Sequence, residues 1–338
     1  AGIFGLSIAW EAVQRGAKVQ IIDPGGAGAG ASGGVVGALQ PHTPDRWNAK
    51  KQFQLEGLLM AEAYWRSVDK ISGISSGLAR VGRVQPLMNE RGITLARERE
   101  VDAKARWGNA AEWRVTQDTD DWTPPSPTGF YVRDTLSAIV NPKRAINSLS
   151  AALATHGVHV QADAADQGAV LWATGWQGLR DLSQHFDQKI GGGEKGQAAL
   201  IRFEAAGQPQ IFADGLHIIP HLDGTLAVGS TSERDFDDPA STDRQLEAII
   251  TRATAILPTL KSASVLTRWA GVRPRASTRA PIFGAWPNRP GHFVANGGFK
   301  IGFGMAPKIA RIMCDLILDK ADVIPDDFRF GVGRNTSG

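Results

Sequence analysis

Ala1-Gly2-Ile3-Phe4-Gly5, followed by the apolar run Val19-Gln20-Ile21-Ile22-Asp23, is the stretch that decides the fold. The first five residues have the form of the last five positions of a G-x-G-x-x-G loop. The acid that closes the later run stands where a dinucleotide-binding βαβ unit places its ribose ligand. Gly2 has no side chain, so backbone there can approach a pyrophosphate. Gly5 allows the following helix to pack closely on a sheet, and the helix N-terminus offers free N–H groups and a positive dipole end. The sequence begins inside this fingerprint, without its first glycine and first strand. The expectation is that a chain starting at Ala1 binds a dinucleotide poorly.

The 338 residues suffice for two lobes with separate cores. Apolar residues make up 42% of the chain and the net charge is only +3, with basic residues spread along it, so nucleic-acid binding is not expected. The single cysteine, Cys314, excludes an intramolecular disulfide and a thiolate metal cluster. Its neighbours Ile309, Ile312, Met313, Leu316 and Ile317 make it a buried filler of a helix core. No run is long enough to cross a bilayer and no signal peptide is visible, which points to the cytoplasm.

Apolar residues Phe4, Leu6, Ile8, Ala9, Ala12 and Val13 recur at helical spacing, and Gly16 sits where a C-cap glycine would. Residues 25–38 hold seven glycines; lying directly after the acidic strand end and containing Ala31-Ser32-Gly33-Gly34, they read as a ligand-touching loop rather than a linker. Residues 50–70 read as an amphipathic helix, and 79–140 as short strands and turns with a helical stretch near 92–104. Asn141-Pro142 starts a helix with Asn at the N-cap and Pro at N1. Ala169 to Ala173 is a strand. Ala198 to Phe203, Leu216 to Pro220 and Leu226 to Thr231 follow as sheet, with Asp223-Gly224 as a hairpin turn. A helix near 242–256, a glycine-rich turn over 296–305, a helix from about Ala306 to Leu318 and a polar tail loose at its end complete the reading.

Five later segments sharpen the nucleotide reading: Ala31 to Leu39, Leu171-Trp172-Ala173-Thr174-Gly175-Trp176, Leu216 to Gly224, Trp269-Ala270-Gly271-Val272-Arg273-Pro274, and Gly297-Gly298-Phe299-Lys300-Ile301-Gly302-Phe303-Gly304-Met305-Ala306-Pro307. In this order and spacing the chain resembles the FAD-dependent D-amino acid oxidase family, which includes glycine oxidase and monomeric sarcosine oxidase. The resemblance implies an α/β fold: a Rossmann-type FAD-binding domain from residues 1–50, 141–190 and 271–330, interleaved with a mainly antiparallel β substrate domain from 51–140 and 191–270.

It also implies roles position by position. Gly2, Gly5 and Asp23 match the pyrophosphate loop and ribose acid; Ser32 and Gly33 match the loop running toward the flavin ring. Thr174 and Gly175 match the strand end beside the cofactor, and Gly298, Lys300, Ile301 and Gly302 the turn at the pyrimidine edge of the isoalloxazine. There a helix starting near 303–306 would stabilise the negative charge of reduced flavin. Arg273 resembles the arginine that clamps the substrate carboxylate with its planar fork. Lys300 takes the place of a carboxylate-binding lysine or arginine, and His217 that of a substrate-facing tyrosine, a departure from glycine oxidase. His42 lies near the flavin loop. No cysteine lies near Arg273 to Ile282, so the FAD is expected to be non-covalent, and no metal site is read.

The implied activity is oxidation of the C–N bond of a small amino acid, glycine or a D-amino acid. Hydride would pass from the α-carbon to flavin N5, and the resulting imine would hydrolyse to a 2-oxo acid and ammonia, with dioxygen reduced to hydrogen peroxide. The alternatives left open are a sarcosine or other N-methyl amino acid oxidase, a D-amino acid dehydrogenase feeding a quinone or carrier protein, an enzyme acting on a modified tRNA nucleoside, and a non-catalytic flavin-binding fragment.

Overall fold

In the computed structural model, which describes residues 1–331, seven helices and fifteen strands build a mixed α/β molecule around one dominant eight-stranded sheet. Its strand order is β13 (Val265–Ala276), β9 (Gly191–Arg202), β12 (Thr225–Gly229), β11 (Leu216–Pro220), β10 (Gln210–Ala213), β3 (Arg83–Pro86), β5 (Tyr131–Asp134) and β4 (Trp113–Thr116), all neighbours antiparallel except β10 and β3. Three smaller sheets accompany it. β1 (Ile21–Ile22) pairs in parallel with β7 (Val160–Gln161). β8 (Val170–Trp172) runs parallel to β15 (His292–Asn296), which pairs antiparallel with β14 (Ile282–Ala285). β2 (Ala38–Leu39) pairs with β6 (Ala138–Ile139).

Side chains alternate across a strand, so residues paired across a sheet share a face. The row Ala199, Val228, Ile218, Ile211 and Val84 runs through five strands of the large sheet. It is buried against Leu246, Ile249 and Ala253 of α6 (Arg244–Ile256). The adjacent row, Trp269, Ala198, Gly229, His217 and Phe212, therefore points the other way. On that side Val35 and Val36 pack with Ala198, Ile219, Ala227 and Trp269. The second face thus meets the glycine-rich loop instead of a helix, and the site lies along it.

A separate core gathers α1 (Ile3–Gln14), α2 (Ala49–Ser72), α4 (Pro142–Ala154) and α7 (Gly302–Ile317), with α3 (Glu90–Trp107) at its margin. Local chemistry explains their ends. Asn48, Asn89 and Asn141 each accept a hydrogen bond from a first-turn N–H, Pro142 fills N1, and Gly73 closes α2 in the left-handed conformation. Cys314 is buried with its Sγ directed at the Ile8 carbonyl, and burial, the largest influence, pushes the thiol up to about 12.

Two expectations change. α7 begins at Gly302, a turn before Ala306. A further helix, α5 (Gly175–His185), starts directly after Thr174. The region 319–331 packs on the molecule: Ile324, Phe328 and Phe330 are buried, and the Phe330 N–H donates to the Phe283 carbonyl at 2.9 Å. The end of the tail, expected to be loose, lies outside the described residues. β13 runs unbroken across position 271, the boundary at which the sequence reading divides the lobes. No helix among the described residues is long and apolar enough to cross a membrane.

Candidate active site

The first part of the site is a cradle at the start of α1. Gly2 is an extended N-cap with no side chain to offer, and the Ile3 N–H donates instead to Ser32 Oγ at 2.9 Å. A Cβ on Gly2 would stand 3.2 Å from that hydroxyl, and one on Gly5 would touch Ala173 at 3.5 Å. Gly33 is more constrained: its Cβ would lie 2.3 Å from the Gly28 carbonyl oxygen, so no side chain fits. Asp23 Oδ1 accepts the Gly25 N–H at 2.9 Å, and Oδ2 accepts from the Ala1 amino group at 2.5 Å. Thr174 is exposed at the end of β8, and Gly175 adopts φ +65°, a conformation costly for any other residue. The Gly175 carbonyl is held by Asn296 Nδ2 at 2.8 Å, while Asn296 Oδ1 accepts the Gly297 N–H at 2.8 Å. Buried Asn296 thereby ties the ends of β8 and β15 together.

The second part is the start of α7, where the N-cap residue Ile301 makes no side-chain cap bond. A Cβ on Gly298 would lie 2.8 Å from Phe4 Cζ, and one on Gly302 3.4 Å from Ile3 Cγ2. The two helix starts therefore meet, and two positive dipole ends converge beside backbone stripped of side chains. An extended dinucleotide with a pyrophosphate in its middle and an electron-accepting ring at one end fits these features: glycines where it must approach, unclaimed N–H donors where it carries charge. The loop between the two parts then reaches the large sheet. A Cβ on Gly34 would sit 3.2 Å from Trp269, and one on Gly229 2.8 Å from Val36.

The third part is a cluster of cations at the β13 end of that sheet face. Arg273 pairs in register with Glu194, four residues from the Trp269–Ala198 pair and so on the same side. Nη1 donates to Ser230 Oγ at 2.7 Å, and Nη2 donates to the carbonyls of Thr231 at 2.7 Å and Lys195 at 3.0 Å. Of five N–H donors, three are engaged; Nε is buried without a partner. Room for the guanidinium comes from Gly196, whose Cβ would fall 2.4 Å from Nη2. Burial lowers the Arg273 pKa, against the pull of Glu194 and Glu233. Phe299 lies beneath three cations, with Arg273, Arg275 and Lys300 at 5.6, 5.5 and 5.3 Å from its ring centre. Lys300 is on the exposed rim, its ammonium lowered by partial burial and by Arg273 and Arg275, with Glu194 opposing.

His217 stands in the middle of the row, its ring 4.8 Å from Phe212 and its Nδ1 sealed from solvent with no partner. Burial first, then Arg83, Lys300 and Arg273, push its pKa down to about 3, so it is neutral at ordinary pH. His42 shares a 2.6 Å hydrogen bond with Gln54 Oε1, and Gln54 Nε2 donates to the Gln40 carbonyl.

The structure thus gathers Gly2, Gly5, Ser32, Gly33, Asp23, Thr174 and Gly175 at one cradle and Gly298, Ile301 and Gly302 at the adjoining helix start. His217, Arg273 and Lys300 lie on or beside the facing sheet. Sequence reasoning missed Asn296, Gly196, Glu194 and the buried Arg83–Asp134 ion pair at 2.8 Å. For Asn296 a signal existed, an amide directly before Gly297-Gly298; the others depend on strand pairing and carry no local mark. The broad surface groove lined by Trp65, Asp69, Gly73, Leu78 and Arg80 contains none of these residues.

Residues 1–316 match the family described as FAD dependent oxidoreductase. The chain is 28% identical over 361 aligned residues to a glycine oxidase from Pseudomonas putida, covering 96% of this chain and 94% of that protein. Among solved structures it is similar to glycine oxidase from Geobacillus kaustophilus, with TM-score 0.84, 20% identity and 96% and 94% of the two chains covered. It is also similar to iminodiacetate oxidase from Chelativorans sp. BNC1, with TM-score 0.81, 19% identity and 97% of each chain covered. With most of its length matched and a cradle built for a dinucleotide, the chain belongs to the FAD-dependent oxidoreductase family of the D-amino acid oxidase type, and FAD is its cofactor.

Proposed function

We propose that this protein oxidises the C–N bond of a small amino acid, glycine or a D-amino acid, and passes the electrons to dioxygen. Bound FAD supplies the two-electron acceptor. In this reading Gly2, Gly5, Ser32 and Gly33 receive the pyrophosphate, Asp23 the adenosine ribose, Thr174 and Gly175 the middle of the cofactor, and Gly298, Ile301 and Gly302 its ring. The observation that carries the reading is the juxtaposition of the α7 N-terminus with Arg273, Lys300 and His217. An anion-stabilising helix end and a cluster of cations share one side of the large sheet.

The residues have distinct work. Arg273 offers its guanidinium to the substrate carboxylate, and Lys300 stands at the exposed rim beside it. Neutral His217 adds no positive charge near the amine. An amine that must donate a hydride from its α-carbon has to bind unprotonated, and a cationic surrounding favours that form. Positioning and charge, with no side chain removing the α-proton, account for catalysis here. The test is a screen of amino acids with the FAD-loaded protein, read as hydrogen peroxide. Amino-acid-dependent flavin reduction followed by slow reoxidation in air without peroxide would replace the oxidase by a dehydrogenase. No flavin reduction by any amino acid would remove the reading altogether.

A further inference from the structure

The cations beside Phe299 outnumber what one substrate carboxylate requires. Arg273, Arg275 and Lys300 surround a single ring, and the charges acting on Lys300 are Arg273, Arg275 and one acid, Glu194. Glu194 is committed elsewhere: its Oε2 pairs with Arg275 at 3.3 Å, and its Oε1 accepts from the Ser232 hydroxyl. The neighbouring charges are already matched, Lys195 with Glu233 at 3.9 Å and Arg83 with Asp134 at 2.8 Å. Among the described residues, two of these cations remain without a carboxylate partner. Arg273 binds only a hydroxyl and two carbonyls and keeps a buried, unpartnered Nε. Lys300 reaches only Ser232 Oγ, at 3.4 Å, and stands at the exposed rim. Gathering like charges around a site costs free energy that an uncharged or singly charged ligand does not return.

Resting on the reading of the site as an amino acid oxidase site, we infer that the preferred substrate carries a second acidic group, the α-carboxylate facing Arg273 and the second carboxylate held at the mouth by Lys300. The substrate class is a dicarboxylic amine: an acidic amino acid or an N-carboxymethyl amino acid. A second carboxylate brings the local count of three cations and Glu194 to balance before any electron moves. Lys300 acts here as a specificity residue, because its partner is remote from the bond that breaks.

The test compares glutamate with glutamine, each enantiomer, on the FAD-loaded protein. The two differ in one charged group and hardly in size. For the enantiomer that is oxidised, the expected kcat/KM is about tenfold or more higher for glutamate, the advantage shrinking as salt rises. Lys300→Gln is expected to cut the glutamate-to-glutamine ratio about tenfold. A second readout needs no turnover: succinate should perturb the flavin absorbance at lower concentration than its monoamide, succinamate. Equal or better oxidation of glutamine overturns the inference and leaves the oxidase reading standing. So does a Lys300→Gln protein in which both substrates weaken equally, since both cations would then share one carboxylate. If no amino acid is oxidised the oxidase reading falls, and the succinate comparison decides the inference by itself, with equal binding of the monoamide overturning it.

Discussion

Replacing Arg273 by Met keeps an unbranched stem as far as the Nε position and removes every donor, and the structure separates the consequences for folding from those for turnover. Three hydrogen bonds from a cation are lost. The Lys195 carbonyl still accepts the Glu233 N–H at 2.9 Å, and the Ser230 hydroxyl can rotate to another partner. The Thr231 carbonyl carries most of the penalty. A charge-assisted bond is worth about 1.5–3 kcal/mol, and relief of repulsion among Arg273, Arg275 and Lys300 offsets part of it. The expected loss of stability is therefore about 2 kcal/mol, read as a shift of the urea midpoint of the flavin-free protein. Turnover should suffer more. Removing one partner of a carboxylate pair costs about 2–5 kcal/mol, or about 30-fold to several thousand-fold in kcat/KM, measured as peroxide formation with the best amino acid. A folded Arg273→Met protein with kcat/KM within about threefold of wild type would refute the carboxylate role. An unchanged midpoint would refute the stability argument, and the two results are independent.

Gly196→Ala puts a methyl group 2.4 Å from Arg273 Nη2, so KM for the amino acid should rise about tenfold or more while flavin affinity holds; an unaltered KM would show that the guanidinium is not needed where it lies. His217 gives a pH signature. Its pKa is about 3 in the folded protein against 6.5 in the open chain, so the unfolded state takes up the proton first and stability falls as pH drops from about 6.5 toward 3. Between pH 7 and 5 this one group should cost about 2 kcal/mol, and His217→Gln should flatten that part of the urea-midpoint profile; an equally steep profile in the variant would assign the slope to other groups. Asn296→Ala strands the Gly175 carbonyl and the Gly297 N–H, for an expected loss of roughly 2–3 kcal/mol and weaker FAD retention on gel filtration. Full flavin content in that variant would show that the two turns are held without it.

Elements set by local chemistry were legible in the sequence. Asn141-Pro142 starts α4, Gly16 closes α1 at positive φ, and Asp223-Gly224 turns β11 into β12. The glycines of the cradle were legible from their spacing, and at Gly33 contact with the Gly28 carbonyl leaves no room for a Cβ. β9 and β13 were harder to see. Three glycines open β9, and β13 mixes Arg268, Gly271 and Pro274 into a run that lacks simple alternation. Their register of eleven pairs is a tertiary fact, and the placement of Glu194 and Gly196 beside Arg273 follows from it. α5 was missed because its N-cap, Thr174, makes no side-chain cap bond and Gly175 enters at φ +65°. Arg83 and Asp134 sit 51 residues apart (134 − 83) and become partners only when β3 and β5 pair.

The meeting of the α1 and α7 starts has a consequence for assembly. Ile3 and Phe4 stand near one end of the described residues and Gly298 and Gly302 near the other, and in the proposed reading one cofactor uses both helix starts. Arg15 binds Asp315 at 2.7 Å and Asp319 at 2.9 Å across the same contact. In that reading flavin capture waits until synthesis has delivered α7, and a nascent chain arrested before residue 302 would display the fingerprint without the second helix start.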